Sequence, residues 1–140
     1  MNTRMDAVNA LTTLNGFIGR AQLSAIGSAC RGEEKRFFYD KLVSLASLVA
    51  SMPKTYEQDG KGMEAIVSLH YFNAGSDWFI LEKDIEGGVD QAFGYAILNG
   101  DTQNAELGYI SIRELVDNGV ELDLYFAPRT LSKIIEKRAA

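Results

Sequence analysis

Acidic side chains are the residues of this sequence whose types and spacing could carry out chemistry. Glu82 and Asp84 are two positions apart, and so are Glu121 and Asp123. Residues at that spacing share one face of a β-strand. If such faces converge, paired carboxylates can serve as general acid and base or can bind a hard cation such as Mg2+. The same alternation is typical of the solvent-exposed face of a half-buried antiparallel sheet. The sequence therefore offers a candidate acidic face, to which Glu106 at the start of a predicted strand also belongs.

Histidine, cysteine and glycine patterns add no catalytic motif. His70 and Cys30 are the only residues of their types, which excludes a multi-histidine metal site, an internal disulfide and a cysteine zinc site. His70 could act alone as a general base, but a packed histidine on a strand is the commoner arrangement. The sequence contains no Walker loop and no Gly-x-Ser-x-Gly elbow. We therefore assign no catalytic residue, metal or cofactor, and a non-enzymatic role is favoured.

Aromatic side chains form the second candidate set. Tyr56 stands in a polar, glycine-containing segment, where it is either a packing anchor or part of a binding surface. Trp78 and Tyr109 fall on predicted strands, and aromatics on a sheet can stack single-stranded bases. That role needs interleaved basic residues, and only Lys83 and Arg113 lie nearby. Core packing is the better interpretation of most strand aromatics, while Tyr56, Trp78 and Tyr109 stand as candidate aromatic binding residues.

Residues 1–63 are predicted to be mainly helical. A short helix ends at Asn15-Gly16, a second covers Arg20–Cys30, and a third runs from about Glu33 to Met52. The third carries the clearest pattern, because apolar residues recur at steps of four and three: Phe38, Leu42, Leu45, Val49 and Met52. Pro53 ends this helix, and residues 53–63 follow as a predicted exposed loop.

Residues 64–140 are predicted to be mainly strands with tight connections. The strands cover Ala65–Phe72, Asp77–Asp84, Gln91–Leu98, Glu106–Ile112 and Val120–Phe126. Gly94 in the third strand indicates a bulge or a close backbone approach, and Ser111 can cap a short helix over Ile112–Asn118. A last helix covers Thr130–Arg138. The order predicts one α+β domain, with N-terminal helices packed on a roughly five-stranded antiparallel meander and a C-terminal helix.

Composition and net charge limit the classes of binding partner. The chain has 140 residues, 46% of them hydrophobic and 24% charged, which is typical of one globular domain. Its net charge of −5 argues against sequence-independent nucleic-acid binding and suits a basic partner, such as a nucleic-acid-binding protein. No apolar run approaches the roughly 20 residues that span a bilayer, and the first ten residues lack a signal-peptide core. The expected location is therefore the cytoplasm, without a membrane partner.

Five short motifs follow one another between His70 and Pro128. They are DWFILEKD at 77–84, QAFGY at 91–95, ELGYIS at 106–111, EL at 114–115 and ELDLYFAP at 121–128. In this order they resemble the bacterial Domain of Unknown Function 2958 family, which is associated with plasmids, phages and integrative elements. The family has no settled activity, so the resemblance implies no catalytic role. Its acidic motif positions match Glu82, Asp84, Glu106, Glu114 and Asp123, which are therefore the candidate binding residues of the acidic face.

These observations predict a non-enzymatic, protein-binding or inhibitory protein of a mobile genetic element that acts on a host or element protein. Inhibition of a host defence nuclease complex, of the anti-CRISPR or antirestriction type, is the most concrete version. One alternative is a metal-dependent enzyme that uses Glu82, Asp84 and Asp123. Another is a single-stranded nucleic-acid-binding module that uses Trp78, Tyr95 and Tyr109. The sequence leaves the partner and a homodimer open, and an exposed apolar patch on the helical half would favour a protein interface.

Overall fold

The computed structural model describes residues 2–139 and confirms the α+β fold class. Three helices come first, namely α1 (Arg4–Leu14), α2 (Arg20–Ala29) and α3 (Lys35–Ser51). A 3-10 turn (Gly62–Glu64) leads into five strands, β1 (Ile66–Val67), β2 (Leu69–Asn73), β3 (Ser76–Glu82), β4 (Ala92–Ile97) and β5 (Glu106–Ile110). The remaining elements are α4 (Ile112–Asp117), β6 (Glu121–Leu122), β7 (Arg129–Thr130) and α5 (Leu131–Ala139). Within residues 2–139, every helix falls short of the length and apolar character needed to cross a membrane.

Five strands form an antiparallel sheet in the spatial order β5-β4-β3-β2-β6, while β1 and β7 pair separately. The predicted meander is correct for β2 to β5. It is wrong for the last strand, because β6 lies beside β2 at the opposite edge. That strand is also shorter than predicted, since Asp123 accepts a hydrogen bond from the backbone N–H of Tyr125 and turns the chain away after Leu122. The predicted first strand is interrupted at Ser68, between β1 and β2.

Each face of the sheet carries its own hydrophobic core. One core joins the three N-terminal helices to the sheet, and its largest fully buried members include Leu14, Tyr71, Ile80 and Leu122. The apolar stripe predicted on α3 belongs to it, with Leu42, Leu45, Val49 and Met52 buried. The other core packs α5 on the opposite face through Leu131, Ile134, Phe79, Leu81 and Ile97. The result is a helix–sheet–helix sandwich, with α1 to α3 on one face of the sheet and α5 on the other.

A β-bulge in β3 determines on which face of the sheet the last side chain of that strand lies. Ile80 pairs with Gly94, but Glu82 pairs with the adjacent residue Phe93, so β3 contains one extra residue. Simple alternation along the strand predicts that Glu82 lies on the face of Trp78 and Ile80, and this is wrong because the bulge shifts the register. Paired residues on neighbouring strands share a face. Glu82 therefore lies on the α5 face with Phe93.

Gly94 confirms the predicted close backbone approach at this bulge. A Cβ atom on Gly94 would lie 2.2 Å from the carbonyl oxygen of Phe79, far inside van der Waals contact. Gly108, its direct partner on β5, has no atom of the described residues within 4 Å of the equivalent position. The two glycines thus stand side by side in the same sheet, and only Gly94 is required by packing.

We expect Gly94→Ala to lower the free energy of unfolding by about 1–3 kcal/mol, because the new methyl group overpacks rigid backbone. Gly108→Ala is the matched control and should stay within about 0.5 kcal/mol of wild type. Urea denaturation followed by circular dichroism measures both. Equal effects of the two substitutions would show that the close approach does not constrain the sheet.

Candidate functional site

The carboxylate of Glu82 is buried and anchors the segment that follows α3. Glu82 is only 5% exposed, and its Oε1 and Oε2 accept hydrogen bonds from the backbone N–H groups of Tyr56 (3.0 Å) and Gln58 (2.8 Å). The side-chain amide of Gln58 in turn donates to the carbonyl oxygens of Ile66 and Leu81, at 2.9 Å each, and accepts from the N–H of Ile66 at 2.7 Å. These hydrogen bonds connect the segment to both β1 and β3.

The prediction of an exposed loop over residues 53–63 is wrong at two positions of its first half. Thr55 and Gln58 are buried, and both the backbone N–H and the hydroxyl of Thr55 donate to the carbonyl oxygen of Lys83, at 2.8 and 3.0 Å. Polar side chains here satisfy backbone groups at the end of β3 instead of facing water. The segment is a fixed cover on the strand end.

This cover presents Tyr56 to solvent. The backbone of Tyr56 has a φ of +78°, a conformation that costs a bulky residue about 1–3 kcal/mol. Its side chain is 58% exposed, and its hydroxyl lies 3.1 Å from that of Tyr109 on β5, which is 53% exposed. The hydrogen bond to Tyr56 raises the pKa of Tyr109, and the negative charges of Asp59 and Glu82 raise it further. Two exposed tyrosines therefore form one aromatic pair in negative surroundings.

A small pocket opens beside this pair, and we call it the tyrosine pocket. Its volume is about 110 Å³, and it is lined by Thr55, Tyr56, Asp84, Ile85, Gln91 and Tyr109. Asp84 is buried, and its carboxylate accepts from the backbone N–H groups of Glu86 (2.6 Å) and Gln91 (3.0 Å). The side chain of Ile85 is exposed. Aromatic, apolar and acidic groups thus surround a space the size of one side chain.

The residues of the candidate acidic face lie apart from one another. Glu82 and Asp84 are each held by their own backbone donors. Glu106 pairs with Ala96 on the opposite face of the sheet from Glu82, Glu114 is exposed on α4, and Asp123 contacts His70. Within residues 2–139, no group of three or more His, Cys, Asp or Glu side chains is arranged so that it could hold a metal ion. The convergence that a paired-carboxylate site requires is not formed.

The aromatic residues of the nucleic-acid alternative are also separated. Trp78 is half-buried against the core beneath the N-terminal helices. Tyr95 pairs with Phe79 and packs on the α5 side, which is also the side of Tyr109. Trp78 therefore cannot join Tyr95 and Tyr109 in one stacking platform.

His70 stands at the centre of a chain of charged groups. Its Nε2 lies 2.7 Å from Asp77 and its Nδ1 lies 3.0 Å from Asp123. Arg138 of α5 binds both oxygens of Asp77, at 3.0 and 3.1 Å. The imidazole also stacks on Phe79, with 4.6 Å between ring centroids, and its side chain is only 12% exposed. Because carboxylates occupy both ring nitrogens, His70 ties β2, β3 and α5 together and has no nitrogen free for a substrate.

A second concave surface, the helical groove, lies between α1, α2 and α3. Its volume is about 600 Å³. Its lining includes exposed apolar residues of the helical half, the condition expected to favour a protein interface, since Val8 is 49% and Leu11 38% exposed. Three basic residues, Arg4, Arg31 and Lys35, complete its lining. Sequence reasoning missed this groove. The helical spacing of Leu23, Ile26 and Cys30 on α2 is the signal that could have indicated it.

Comparison with known proteins yields no match to any family model, curated protein or solved structure. The resemblance to the Domain of Unknown Function 2958 family therefore stays a prediction.

We expect Glu82→Gln to lower the free energy of unfolding by about 1.5–3 kcal/mol, because it removes the charge that two backbone N–H groups share and turns an amide NH2 towards one of them. Glu106→Gln, a change of the same type at an exposed position, should stay within about 0.5 kcal/mol. Urea denaturation measures stability, and amide hydrogen exchange at Tyr56 and Gln58 reports the local bonds. Unchanged exchange at these two amides in Glu82→Gln would contradict the anchoring role.

Proposed function

We propose that the protein acts by binding a basic partner protein, and that the tyrosine pocket is the point of contact. The observation that carries this proposal is the presentation of Tyr56. A buried carboxylate holds its backbone in a disfavoured conformation while its ring remains exposed. Strained backbone of this kind concentrates at functional sites, and tyrosine is among the residues that supply most of the binding energy at protein interfaces.

The charge distribution supports a basic partner. Residues 1–63 contain eight basic and six acidic side chains, whereas residues 64–140 contain six basic and thirteen acidic ones. The half that includes β1 to β7 therefore carries a net charge of −7, against +2 for the helical half. Complementary charge accelerates association and orients the partner as it approaches.

The size and lining of the tyrosine pocket support one inserted basic side chain. Small-molecule sites occupy roughly 300–1,000 Å³, several times the 110 Å³ available here. The faces of Tyr56 and Tyr109 attract a cation, and Asp84 contributes negative charge to the lining. A lysine or arginine side chain of the partner would be attracted both by the two aromatic faces and by the carboxylate.

The resemblance to a family of mobile elements extends the proposal to a class of partner. A basic surface that binds nucleic acid offers the charge that this acidic half requires. Occupation of such a surface would compete with the nucleic acid and would inhibit the partner. We therefore propose a host nucleic-acid-binding complex, with a defence nuclease as its most concrete form.

The substitution Tyr56→Gly is expected to weaken partner binding without lowering the stability of the fold. Glycine adopts positive φ without strain, so the variant should be at least as stable as wild type, while loss of a central aromatic should weaken binding about 30-fold or more. Tyr125→Ala is the control, because Tyr125 is 69% exposed but stacks on Phe37 away from the pocket. Affinity purification from host lysate with all three proteins, followed by mass spectrometry, would identify proteins that wild type and Tyr125→Ala retain and Tyr56→Gly loses.

The partner identified in this way is then purified and titrated by calorimetry at increasing salt. We expect affinity to fall as salt rises, since screening weakens attraction between opposite charges. If every co-purifying protein is retained equally by Tyr56→Gly, or if binding is insensitive to salt, the tyrosine pocket is not a contact for a basic partner.

A further inference from the structure

The helical groove leaves two apolar side chains of α1 uncovered. Ala7, Ile26 and Leu42 are buried in its lining, whereas Val8 and Leu11 remain substantially exposed there. On another side of α1, the polar residues Asp6, Asn9 and Thr13 line a separate depression together with Ala10. Exposed apolar surface gains free energy when it is removed from water. The apolar side of α1 is therefore suited to an occupant of the groove.

A glycine in the last turn of α2 leaves space in this groove. Glycine is the least favourable residue in a helix interior after proline, yet Gly27 lines the groove. A Cβ atom at Gly27 would meet no atom of the described residues within 4 Å. Helix packing therefore does not require glycine at this position, and the effect of the missing side chain is to leave space between α1, α2 and α3.

The charged residues that line the groove are all basic. Arg4, Arg31 and Lys35 line it, and none of its described lining residues is acidic. Across residues 2–139, these three cations take part in none of the ion pairs. Cys30, also in the lining, adds no negative charge, because burial raises the pKa of its thiol. In a chain of net charge −5, the lining of the groove is therefore locally basic.

We propose that the helical groove binds a single-chain anionic amphiphile, such as a fatty acid, with the alkyl chain between the helices and the carboxylate at the three cations. The volume of about 600 Å³ lies within the range of about 300–1,000 Å³ typical of small-molecule sites. Residues of three helices line the groove, and an alkyl chain can contact all three at once. The proposal is independent of the tyrosine pocket, which lies beyond the other face of the sheet.

Calorimetric titration with octanoate, decanoate, dodecanoate and tetradecanoate, each below its micelle concentration, tests the proposal. Burial of each methylene should strengthen binding about fourfold until the groove is filled. The 1-alkanol of the same length should bind at least tenfold more weakly than the alkanoate, because it lacks the charge that the cations attract. A series with no dependence on chain length, or equal binding of alkanol and alkanoate, would overturn the proposal.

Two variants test whether the alkanoate binds in the helical groove. Gly27→Leu fills the space with a good helix former, so it should keep or raise the melting temperature while weakening dodecanoate binding at least tenfold. Arg31→Gln/Lys35→Gln should weaken dodecanoate and leave 1-dodecanol unchanged, whereas Lys41→Gln, on α3 outside the groove lining, should change neither. Binding of dodecanoate by a folded Gly27→Leu with wild-type affinity would overturn the assignment. Failure of wild type to bind any alkanoate would also overturn it, and would favour a partner's helix as the occupant.

Discussion

The backbone N–H groups of Tyr56 and Gln58 donate to one buried carboxylate, that of Glu82, and the exposed surface beside it depends on these two bonds. A buried carboxylate without donors is costly, as is a buried N–H without an acceptor. Each therefore stabilises the position of the other. Because the residues on both sides of Glu57 are anchored, the side chain of Tyr56 is directed outward to the hydroxyl of Tyr109. Removal of the carboxylate would release the segment and separate the tyrosines.

Lys83, the residue after Glu82, binds α3 on the opposite side of the strand. Lys83 is buried, and its Nζ donates to the carbonyl oxygens of Val49 and Ala50, at 2.6 and 3.2 Å. These carbonyls belong to the last turn of α3, where the helix dipole favours a cation, although burial lowers the pKa of Lys83. Glu82 and Lys83 thus attach the cover segment and α3 to the same strand end. On the α5 side, the chain of Asp123, His70, Asp77 and Arg138 performs the same structural task.

Local patterns were sufficient to predict the elements but not the site. The apolar period of α3, the glycine at 94 and the serine cap at 111 each act through neighbours in sequence or through a single strand pair, and all three were predicted. The bulge in β3 has no such local signal, and it moves Glu82 to the other face. The partners of Glu82 lie 24 and 26 residues away. From the sequence alone, its acidic side chain therefore resembled a solvent-exposed residue. In the fold it is buried and binds two distant backbone N–H groups.

The two proposed sites differ in charge, and their separation determines how far each can affect the other. The helical groove is bounded by helices that cover one face of the sheet, whereas Tyr109 lies on the α5 face. At physiological ionic strength, charges in solvent are screened beyond about 8 Å, and a sheet with one packed layer is about 10 Å thick. An anion in the groove would therefore alter the field at the tyrosine pocket only weakly. Any coupling must pass through packed contacts that cross the interior, such as the hydrogen bond from Tyr71 on β2 to the carbonyl oxygen of Phe17 at 2.6 Å. Tyr71 is fully buried, so this hydrogen bond is shielded from solvent, and with weak electrostatic coupling the two surfaces are expected to bind nearly independently.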